Sequence, residues 1–222
     1  MKKRYDMLDA GICLVMDEGV YPYGHDAVLL SRFVPLKKGE KLLDLGAASG
    51  VLAFLLLGRE KDLFIDCVEI DPEAVSLLKE GIRLNALEEK VRAYCNDIRD
   101  FRSDCLYDTV ISNPPYAKAK RVQKHVLART RAGFTYEDLC CVAHRLLKPK
   151  GRLISMCPAP LLFSFAKACQ KNGLEIKRLQ FVQSLTHKPP YLVLIEARKD
   201  VNAGVTYEPT VVLSQIKKEE AP

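Results

Sequence analysis

The chain has 222 residues, 48% of them hydrophobic and 28% charged, which are ordinary values for one globular domain. Its net charge of +6 is compatible with a polyanionic partner but does not identify one. No apolar run reaches the roughly 18 residues of a membrane span, and no apolar segment follows the basic start, so we expect neither a membrane span nor a signal peptide.

The first part of the chain, 1–35, is expected to form an arm and a lid. A β-rich arm is predicted from Tyr5 to Gly19, and the sequence leaves open whether it covers a bound ligand or only a sheet. Tyr21, Tyr23, His25 and Asp26 could form the lid over a ligand. His25 would equally suit an ordinary position at the start of a helix.

Strand-like and helix-like segments alternate from about residue 40 onward. The predicted strands lie at 41–45, 63–70, 91–95, 107–112 and 151–157. The predicted helices lie at 51–57, 72–84, 136–147 and 160–171. This alternation predicts an α/β fold, Rossmann-like, with a mostly parallel twisted sheet and helices on both faces.

Two late strands, at 175–183 and 190–198, end the predicted domain. They either continue the parallel pattern or form an antiparallel hairpin at one edge of the sheet. We therefore expect a single domain at 36–200 and a C-terminal tail at 201–222.

The eight cysteines are scattered, without a Cys-x-x-Cys pair or a histidine spacing typical of zinc. Several lie in apolar segments, where cysteine behaves as a small hydrophobic residue. We therefore expect a cytoplasmic protein with reduced thiols and no bound metal.

Polar groups follow three consecutive predicted strands, at the carboxyl ends where open α/β sheets bind their ligands. Asp44 precedes the turn Gly46-Ala47-Ala48-Ser49-Gly50, Glu69-Ile70 ends the second strand, and Asp97-Ile98 follows the third. The glycines would permit close approach of a ligand and tight packing at the helix start. The Glu69 carboxylate suits a ribose diol, and Asp97-Ile98 suits an adenine amine beside an apolar wall.

Nicotinamide cofactors are also held by a glycine turn and an acid, but their fingerprint places a pyrophosphate on a helix N-terminus. Here Ala48 replaces the middle glycine, and the turn contains no basic residue. These features favour a ligand without phosphates. An alternative role for Asp44 is to cap the glycine turn.

The fourth predicted strand ends at Asn113-Pro114-Pro115-Tyr116. Each proline lacks an N–H and disfavours helix in the residue before it, so the chain must form a stiff extended corner. In isolation, this sequence could also describe a proline-terminated edge strand with a solvated asparagine. Beside the three polar strand ends, its carboxamide, free carbonyl and aromatic ring suit a planar amine.

These motifs resemble those of the class I S-adenosylmethionine-dependent methyltransferases. Leu42–Gly50, Val68–Pro72 and 96–98 are similar to the first three motifs of that family, and 113–116 is similar to the signature of enzymes that methylate planar amines or amides. The family usually has a further glycine where Ala48 stands. Over most of 5–200, the order of motifs is similar to the bacterial tRNA1(Val) (adenine-37-N6)-methyltransferase family.

This resemblance implies an S-adenosylmethionine cofactor and an adenine N6 amine in RNA, most naturally tRNA, as the methyl acceptor. The implied catalytic corner consists of Asn113, Pro114, Pro115 and Tyr116. The implied cofactor-binding residues are Asp26, Asp44, Gly46, Ala47, Gly50, Glu69, Ile70, Asp97 and Ile98.

A run of seven basic residues within fourteen, uninterrupted by an acid, follows the corner. Such a run is usually a solvated face, but its position beside the amine corner favours contact with RNA phosphates. The residues expected to contact RNA are Lys118, Lys120, Arg121, Lys124 and Arg129. His187 and Lys188, in a later turn, are further candidates.

Several alternatives remain open from the sequence. The same chemistry suits a protein glutamine amide, although those enzymes usually carry a separate helical N-terminal domain for which 1–35 is too short. Guanine N2 in ribosomal RNA is another possible acceptor. A nucleotide- or RNA-binding module without catalysis would leave the acidic strand ends unexplained, and an NAD-dependent oxidoreductase would leave the corner at 113–116 without a purpose.

Overall fold

The computed structural model describes residues 3–17, 25–114 and 134–215. Its strands are β1 Lys3–Met7, β2 Cys13–Asp17, β3 Lys41–Leu45, β4 Phe64–Glu69, β5 Val91–Cys95, β6 Tyr107–Ile111, β7 Leu147–Pro158, β8 Leu174–Gln183, β9 Leu192–Lys199 and β10 Thr206–Val212. Its helices are α1 His25–Phe33, α2 Val51–Arg59, α3 Pro72–Leu84, α4 Tyr136–Leu146 and α5 Leu162–Lys171.

In the described parts of the chain, eight strands form one sheet in the order β10-β8-β9-β7-β6-β3-β4-β5. Five neighbouring strands run parallel to one another, namely β7, β6, β3, β4 and β5. Strand β9 is antiparallel to both β7 and β8. From β3 the chain proceeds to β4 and β5 on one side and later returns to β6 on the other. The crevice between the carboxyl ends of β3 and β6 is therefore the switch point at which such sheets bind ligands.

The central strand β3 is buried on both faces, which explains its almost continuous apolar sequence. Side chains alternate along a strand, so Leu42 joins one core cluster while Leu43 and Leu45 join the other. The first cluster includes residues of α1, α2 and the N-terminal arm. The second includes residues of α4 and α5, so helices cover both faces as predicted.

The N-terminal arm, which the sequence predicts only to be β-rich, is an antiparallel hairpin of β1 and β2. It packs against α3, whose C-terminal Asn85 donates to the carbonyl of Cys13 at 2.7 Å and accepts from its amide at 2.8 Å. The Lys3 ammonium and the Tyr5 hydroxyl reach Glu80 on the same helix. These contacts place the arm against the helical layer.

The end of the sheet differs from the prediction. The late hairpin is antiparallel, but it is not at the edge, because β10 pairs in parallel with β8 and forms the outermost strand. Residues 206–212, predicted to belong to the C-terminal tail, form this strand instead. It contains Pro209, and proline is confined to edge strands and bulges, which fits the outermost position of β10. Arg178 of β8 pairs with Glu208 at 3.6 Å and helps to hold this strand.

Two boundaries also differ from their predicted positions. Strand β7 begins at Leu147, four residues before the predicted start at 151, and the helix predicted at 160–171 begins with a 3₁₀ turn at Ala159–Leu161. No helix in the described part of the chain is long and apolar enough to cross a membrane.

Candidate active site

The glycine turn after β3 curls back onto β4. The amides of Gly46 and Ala47 both donate to the carbonyl of Val68, at 2.9 and 3.1 Å, and the Gly50 amide donates to the Ala47 carbonyl at 2.8 Å. Gly46, Ala48 and Gly50 all have positive φ, of 77°, 47° and 86°. Glycine adopts this conformation without a steric penalty, whereas alanine does not.

Gly46 and Gly50, the two glycines predicted to lie in the cofactor site, have different physical roles. A Cβ added to Gly50 would lie 2.3 Å from Leu78 Cδ1, so this glycine permits α2 to start against α3. A Cβ added to Gly46 would meet no atom within 4 Å, so the space beside this turn is open. The open side of Gly46 provides room for a ligand at the end of β3.

Glu69 connects the ends of β3 and β4. Its Oε2 accepts the Ala48 amide at 2.9 Å, and its Oε1 accepts the Asp71 amide at 2.9 Å. Each carboxylate oxygen can accept more than one hydrogen bond, so both retain capacity for a ligand diol. Glu69 therefore holds the glycine turn in place and presents its carboxylate oxygens as acceptors at the carboxyl ends of β3 and β4.

Asp44 is a fully buried carboxyl whose two oxygens have no hydrogen-bond partner within the described residues. Burial, followed by the nearby negative charge of Glu69, raises the pKa of Asp44 to about 8. An unpartnered buried carboxyl is costly, and buried polar groups normally have partners. Asp44 thus fits a site that receives a cationic or hydrogen-bond-donating ligand group.

The loop after β5 holds Asp97 through Arg99, a contact that the sequence analysis did not predict. The Arg99 guanidinium grips its carboxylate, with Nε donating to Oδ1 at 2.9 Å and Nη2 donating to Oδ2 at 2.5 Å. The Arg99 amide also donates to Oδ1. Ile98, between them, is buried in the second core cluster. An adenine amine would therefore share the Asp97 acceptors with Arg99.

The corner after β6 lies beside the glycine turn. The Ser112 hydroxyl donates to the carbonyl of Leu45 at 2.8 Å, and the Ser112 amide donates to the carbonyl of Ile154 at 3.1 Å. The next residues, Asn113 and Pro114, are half-buried and buried. The end of β6 is thus anchored to β3 and β7, and Asn113 follows this anchor directly. Pro115 and Tyr116 lie outside the described residues.

Comparison with known proteins identifies the family. The methyltransferase small domain family matches residues 14–162. The chain belongs to this family.

Named relatives of this methyltransferase small domain protein agree with the assignment. The tRNA1(Val) (adenine(37)-N6)-methyltransferase of Pectobacterium carotovorum is 31% identical over 196 residues, covering 82% of this chain and 77% of the relative. The enzyme of the same name from Tolumonas auensis is 31% identical over 176 residues, covering 78% and 74%. The family resemblance inferred from the motifs is confirmed.

Solved structures share the fold. A predicted O-methyltransferase from Agrobacterium tumefaciens has a TM-score of 0.66 at 19% identity, covering 84% of this chain and 86% of that one. TYW2 of M. jannaschii, solved in complex with AdoMet, has a TM-score of 0.64 at 17% identity, covering 88% and 85%. The predicted fold class is confirmed.

In this methyltransferase small domain, most predicted site residues meet at the carboxyl edge of the sheet. Asp26 lies in the first turn of α1, where burial raises its pKa despite the opposing effect of His25. The predicted RNA-binding run, Lys118 to Arg129, lies outside the described residues, as do Tyr21 and Tyr23. In the described parts of the chain, no group of three or more His, Cys, Asp or Glu side chains could hold a metal ion.

Sequence reasoning missed three residues of this edge: Arg99, Ser112 and Tyr191. Asp-x-Arg in a turn is a local pattern that could have indicated the Arg99 contact. Ser112 acts through the pairing of β3 with β6, 67 residues apart, so no local pattern could indicate it. Tyr191 follows two prolines, as Tyr116 does, and that repetition was visible in the sequence.

Proposed function

We propose that this protein transfers a methyl group from S-adenosylmethionine to the exocyclic N6 amine of an adenine in tRNA, in the cytoplasm. The observation that carries the proposal is the position of Asn113 and Pro114 at the switch point, tied by Ser112 to the end of β3 at 2.8 Å. Relatives named tRNA adenine-N6-methyltransferases support the choice of acceptor. The chain spans about three quarters of their length.

The chain's own residues fit the proposed cofactor. Asp44, without a hydrogen-bond partner in the described parts of the chain, offers an acidic acceptor for an ammonium group, and Gly46, before Ala47, leaves open space beside the turn. Glu69 has remaining acceptor capacity for ribose hydroxyls, and Ile70 follows it. Gly50 precedes the first residue of α2. Asp97 and Ile98 provide a polar and an apolar side for a purine. Asp26 lies in the first turn of α1. When bound, S-adenosylmethionine supplies an electrophilic methyl group.

The corner supplies acceptors for the amine. An exocyclic adenine amine is a weak nucleophile because its lone pair is shared with the ring. As its nitrogen becomes tetrahedral and positively charged, its N–H bonds become stronger donors. Asn113 Oδ1 and the Pro114 carbonyl would stabilise that change more than the ground state. Tyr116 would stack on the base, and the extra proton can leave to water without a dedicated side-chain base.

An RNA partner is consistent with the net charge of +6 and with the basic run after the corner. A base in a hairpin loop is already partly unstacked, so its extrusion into a pocket costs less than extrusion from a duplex. We expect Lys118, Lys120, Arg121, Lys124 and Arg129 to contact phosphates on either side of the extruded base.

The direct test is methyl transfer from labelled S-adenosylmethionine to total tRNA from cells that lack the enzyme, followed by nucleoside analysis. The expected product is N6-methyladenosine. Labelled N2-methylguanosine, or labelling of a glutamine-containing protein instead of RNA, would contradict the proposal.

An Asn113→Ala variant tests the proposed role of the corner. Its turnover should fall by about 100- to 1000-fold while cofactor binding stays near normal, because only a group that stabilises the transition state is removed. Asn202→Ala is the matched control, since Asn202 lies in an exposed segment before β10. Undiminished turnover of the Asn113 variant would reject the assigned role.

A further inference from the structure

The turn between β8 and β9, residues 184–191, lies at the same edge of the sheet as the candidate site. Strand β9 runs antiparallel to β7, so its first residue, Leu192, pairs with Pro158 at the carboxyl end of β7. The Ala159 amide donates to the Tyr191 carbonyl at 3.0 Å. This turn is therefore two strands away from the Asn113 corner on β6.

The turn is exposed and carries positive charge. Residues 184–189 are exposed, and they include His187 and Lys188. The sequence from 176 to 195 contains no aspartate or glutamate. The backbone of the turn is ordered by a hydrogen bond from the Lys188 amide to the Leu185 carbonyl at 3.0 Å. Such a surface suits a polyanion better than an acidic or apolar partner.

Tyr191 has a backbone held by hydrogen bonds on both sides and a partly exposed aromatic side chain. Its amide donates to the Val182 carbonyl at 2.9 Å, and its carbonyl accepts from Ala159. Pro189 and Pro190, directly before it, have fixed φ, so little backbone freedom remains to be lost on binding. The residue is 40% exposed, which leaves part of the ring open to a ligand.

The surroundings of Tyr191 favour a neutral phenol. Burial, followed by the negative charge of Asp26, raises its pKa. Asp26 lies in the first turn of α1, so Tyr191 is close enough to one candidate cofactor-binding residue to be affected by its charge. A neutral tyrosine ring can stack on a base without repelling the RNA backbone.

The separation between β6 and β9 limits which nucleotide the Tyr191 ring could contact. Strands β6 and β9 are separated by two strand spacings, which is about 10 Å across the sheet. That separation places the Tyr191 ring beside the Asn113 corner rather than within it. It suits a neighbouring nucleotide in an unstacked single-stranded segment.

We propose that the turn at 184–191 is a second RNA-binding element, in which the Tyr191 ring stacks on a nucleotide next to the methylated one and Lys188 binds a nearby phosphate. The proposal rests on the proposed function, since it assumes that RNA is the methyl acceptor. It adds a positioning element that recognises the unpaired segment around the target adenine.

Kinetics with tRNA give the first test. Tyr191→Ala should raise the KM for tRNA by roughly 5- to 100-fold, because one base loses its stacking partner, while kcat and cofactor affinity stay near normal. Tyr191→Phe keeps the ring and should restore the KM. Lys188→Gln should lower the slope of log K against log salt by about 1. An unchanged KM in Tyr191→Ala together with an unchanged salt slope in Lys188→Gln would overturn the proposal.

Fluorescence gives a test that does not depend on turnover. The chain contains no tryptophan, so Tyr191→Trp introduces a single tryptophan, whose emission can be excited apart from that of the tyrosines. Phe64→Trp is the matched control. Phe64 is 42% exposed and begins β4, so it lies at the amino ends of the parallel strands, away from the candidate site. Adding tRNA should quench the Tyr191→Trp variant and leave the control unchanged.

The outcomes of the fluorescence test separate the two proposals. Equal quenching of both variants, or quenching of neither, would overturn the role of Tyr191. Absence of methyl transfer by the wild-type protein, with selective quenching of Tyr191→Trp, would reject the proposed function but retain the RNA contact. Methyl transfer without selective quenching would retain the proposed function and reject this inference.

Discussion

The Oε2 atom of Glu69 accepts the amide of Ala48 at 2.9 Å and so holds this alanine in a left-handed conformation. Ala48 has a φ of 47°, in the turn where neighbouring Gly46 and Gly50 also have positive φ. An L-residue pays a steric penalty there that glycine avoids. The contact between strand ends therefore keeps a turn shape that the sequence at position 48 disfavours.

Ala48→Gly should stabilise the protein. The relief of steric strain, partly offset by the larger entropy of glycine in the unfolded chain, should raise the free energy of unfolding by about 0.5–1 kcal/mol. Urea unfolding would measure this gain. Ala47→Gly is the control: Ala47 is buried and has no positive φ, so its substitution should destabilise. A loss of stability in Ala48→Gly would show that the methyl group matters more than the backbone conformation.

Asp44 should make the stability of the ligand-free protein depend on pH. Its folded-state pKa of about 8 lies above the ordinary aspartate value of 3.8, so the folded protein favours the protonated form. The stability that this residue contributes is greatest below about pH 4 and is lost as pH rises toward about 8. The loss should not exceed about 1.4 kcal/mol per pH unit.

The measurement is urea unfolding of wild type and Asp44→Asn across that pH range. The stability of the wild type relative to the variant should fall as pH rises. Asp62→Asn is the control, because the hydrogen bond from Lys90 lowers the Asp62 pKa, and its effect should be flat above about pH 5. A pH-independent difference for Asp44→Asn would mean that the Asp44 carboxyl titrates normally.

Cofactor binding should release a proton near neutral pH. If Asp44 receives the ammonium group of S-adenosylmethionine, a carboxyl that is largely protonated at pH 7 must ionise. Calorimetric titrations in buffers of different ionisation enthalpy would count the released protons. We expect close to one for the wild type at pH 7, fewer above about pH 8, and close to none for Asp44→Asn. Equal proton release by both proteins would place the titrating group elsewhere.

Variants of Asp97 and Arg99 would show whether the Asp97 carboxylate binds the cofactor or only shapes its loop. Asp97→Asn should weaken cofactor affinity by about tenfold through loss of a charged acceptor, with kcat unchanged at saturation. Arg99→Gln keeps the acceptor and should bind nearly normally, and stability should change little because the Arg99 side chain is 37% exposed. Equal losses of affinity in the two variants would indicate that the ion pair only shapes the loop.

The basic run after the corner should govern the salt dependence of RNA binding. Neutralising Lys120, Arg121 and Lys124 together should reduce the slope of log K against log salt by about 2–3, since roughly one counterion is released per phosphate contact. Exposed lysines at the amino edge of the sheet provide a control variant of equal charge change: Lys37, Lys38 and Lys61. Equal slopes for the two triple variants would remove the basic run from the interface.

The positions of the site residues could be predicted because parallel strands align their carboxyl ends. Asp44 and Glu69 lie at the carboxyl ends of their strands and Asp97 follows its own, and the structure brings all three strand ends to one edge. The predicted corner at Asn113 joins them because β6 pairs with β3. The hydrophobic pattern of the sequence and the fixed handedness of strand connections are enough to predict which strand ends share an edge.

The partners of these residues could not be predicted, since they depend on distances that no local pattern encodes. Among the described residues, Asp44 has no hydrogen-bond partner and Ser112 is anchored on Leu45, and both facts follow from packing between strands. Strand β10 was missed for a related reason. Its pairing with β8 depends on contacts such as the Gln180 side-chain amide donating to the Pro209 carbonyl at 3.0 Å.

Pro209 also affects how the sheet meets other molecules. It lies on the outermost strand, within the register shift between Glu208 and Val211, and it offers no N–H to an incoming chain. An intruding strand would lack a donor there and would meet a bent backbone. This irregularity should therefore discourage edge-to-edge aggregation on that side of the molecule.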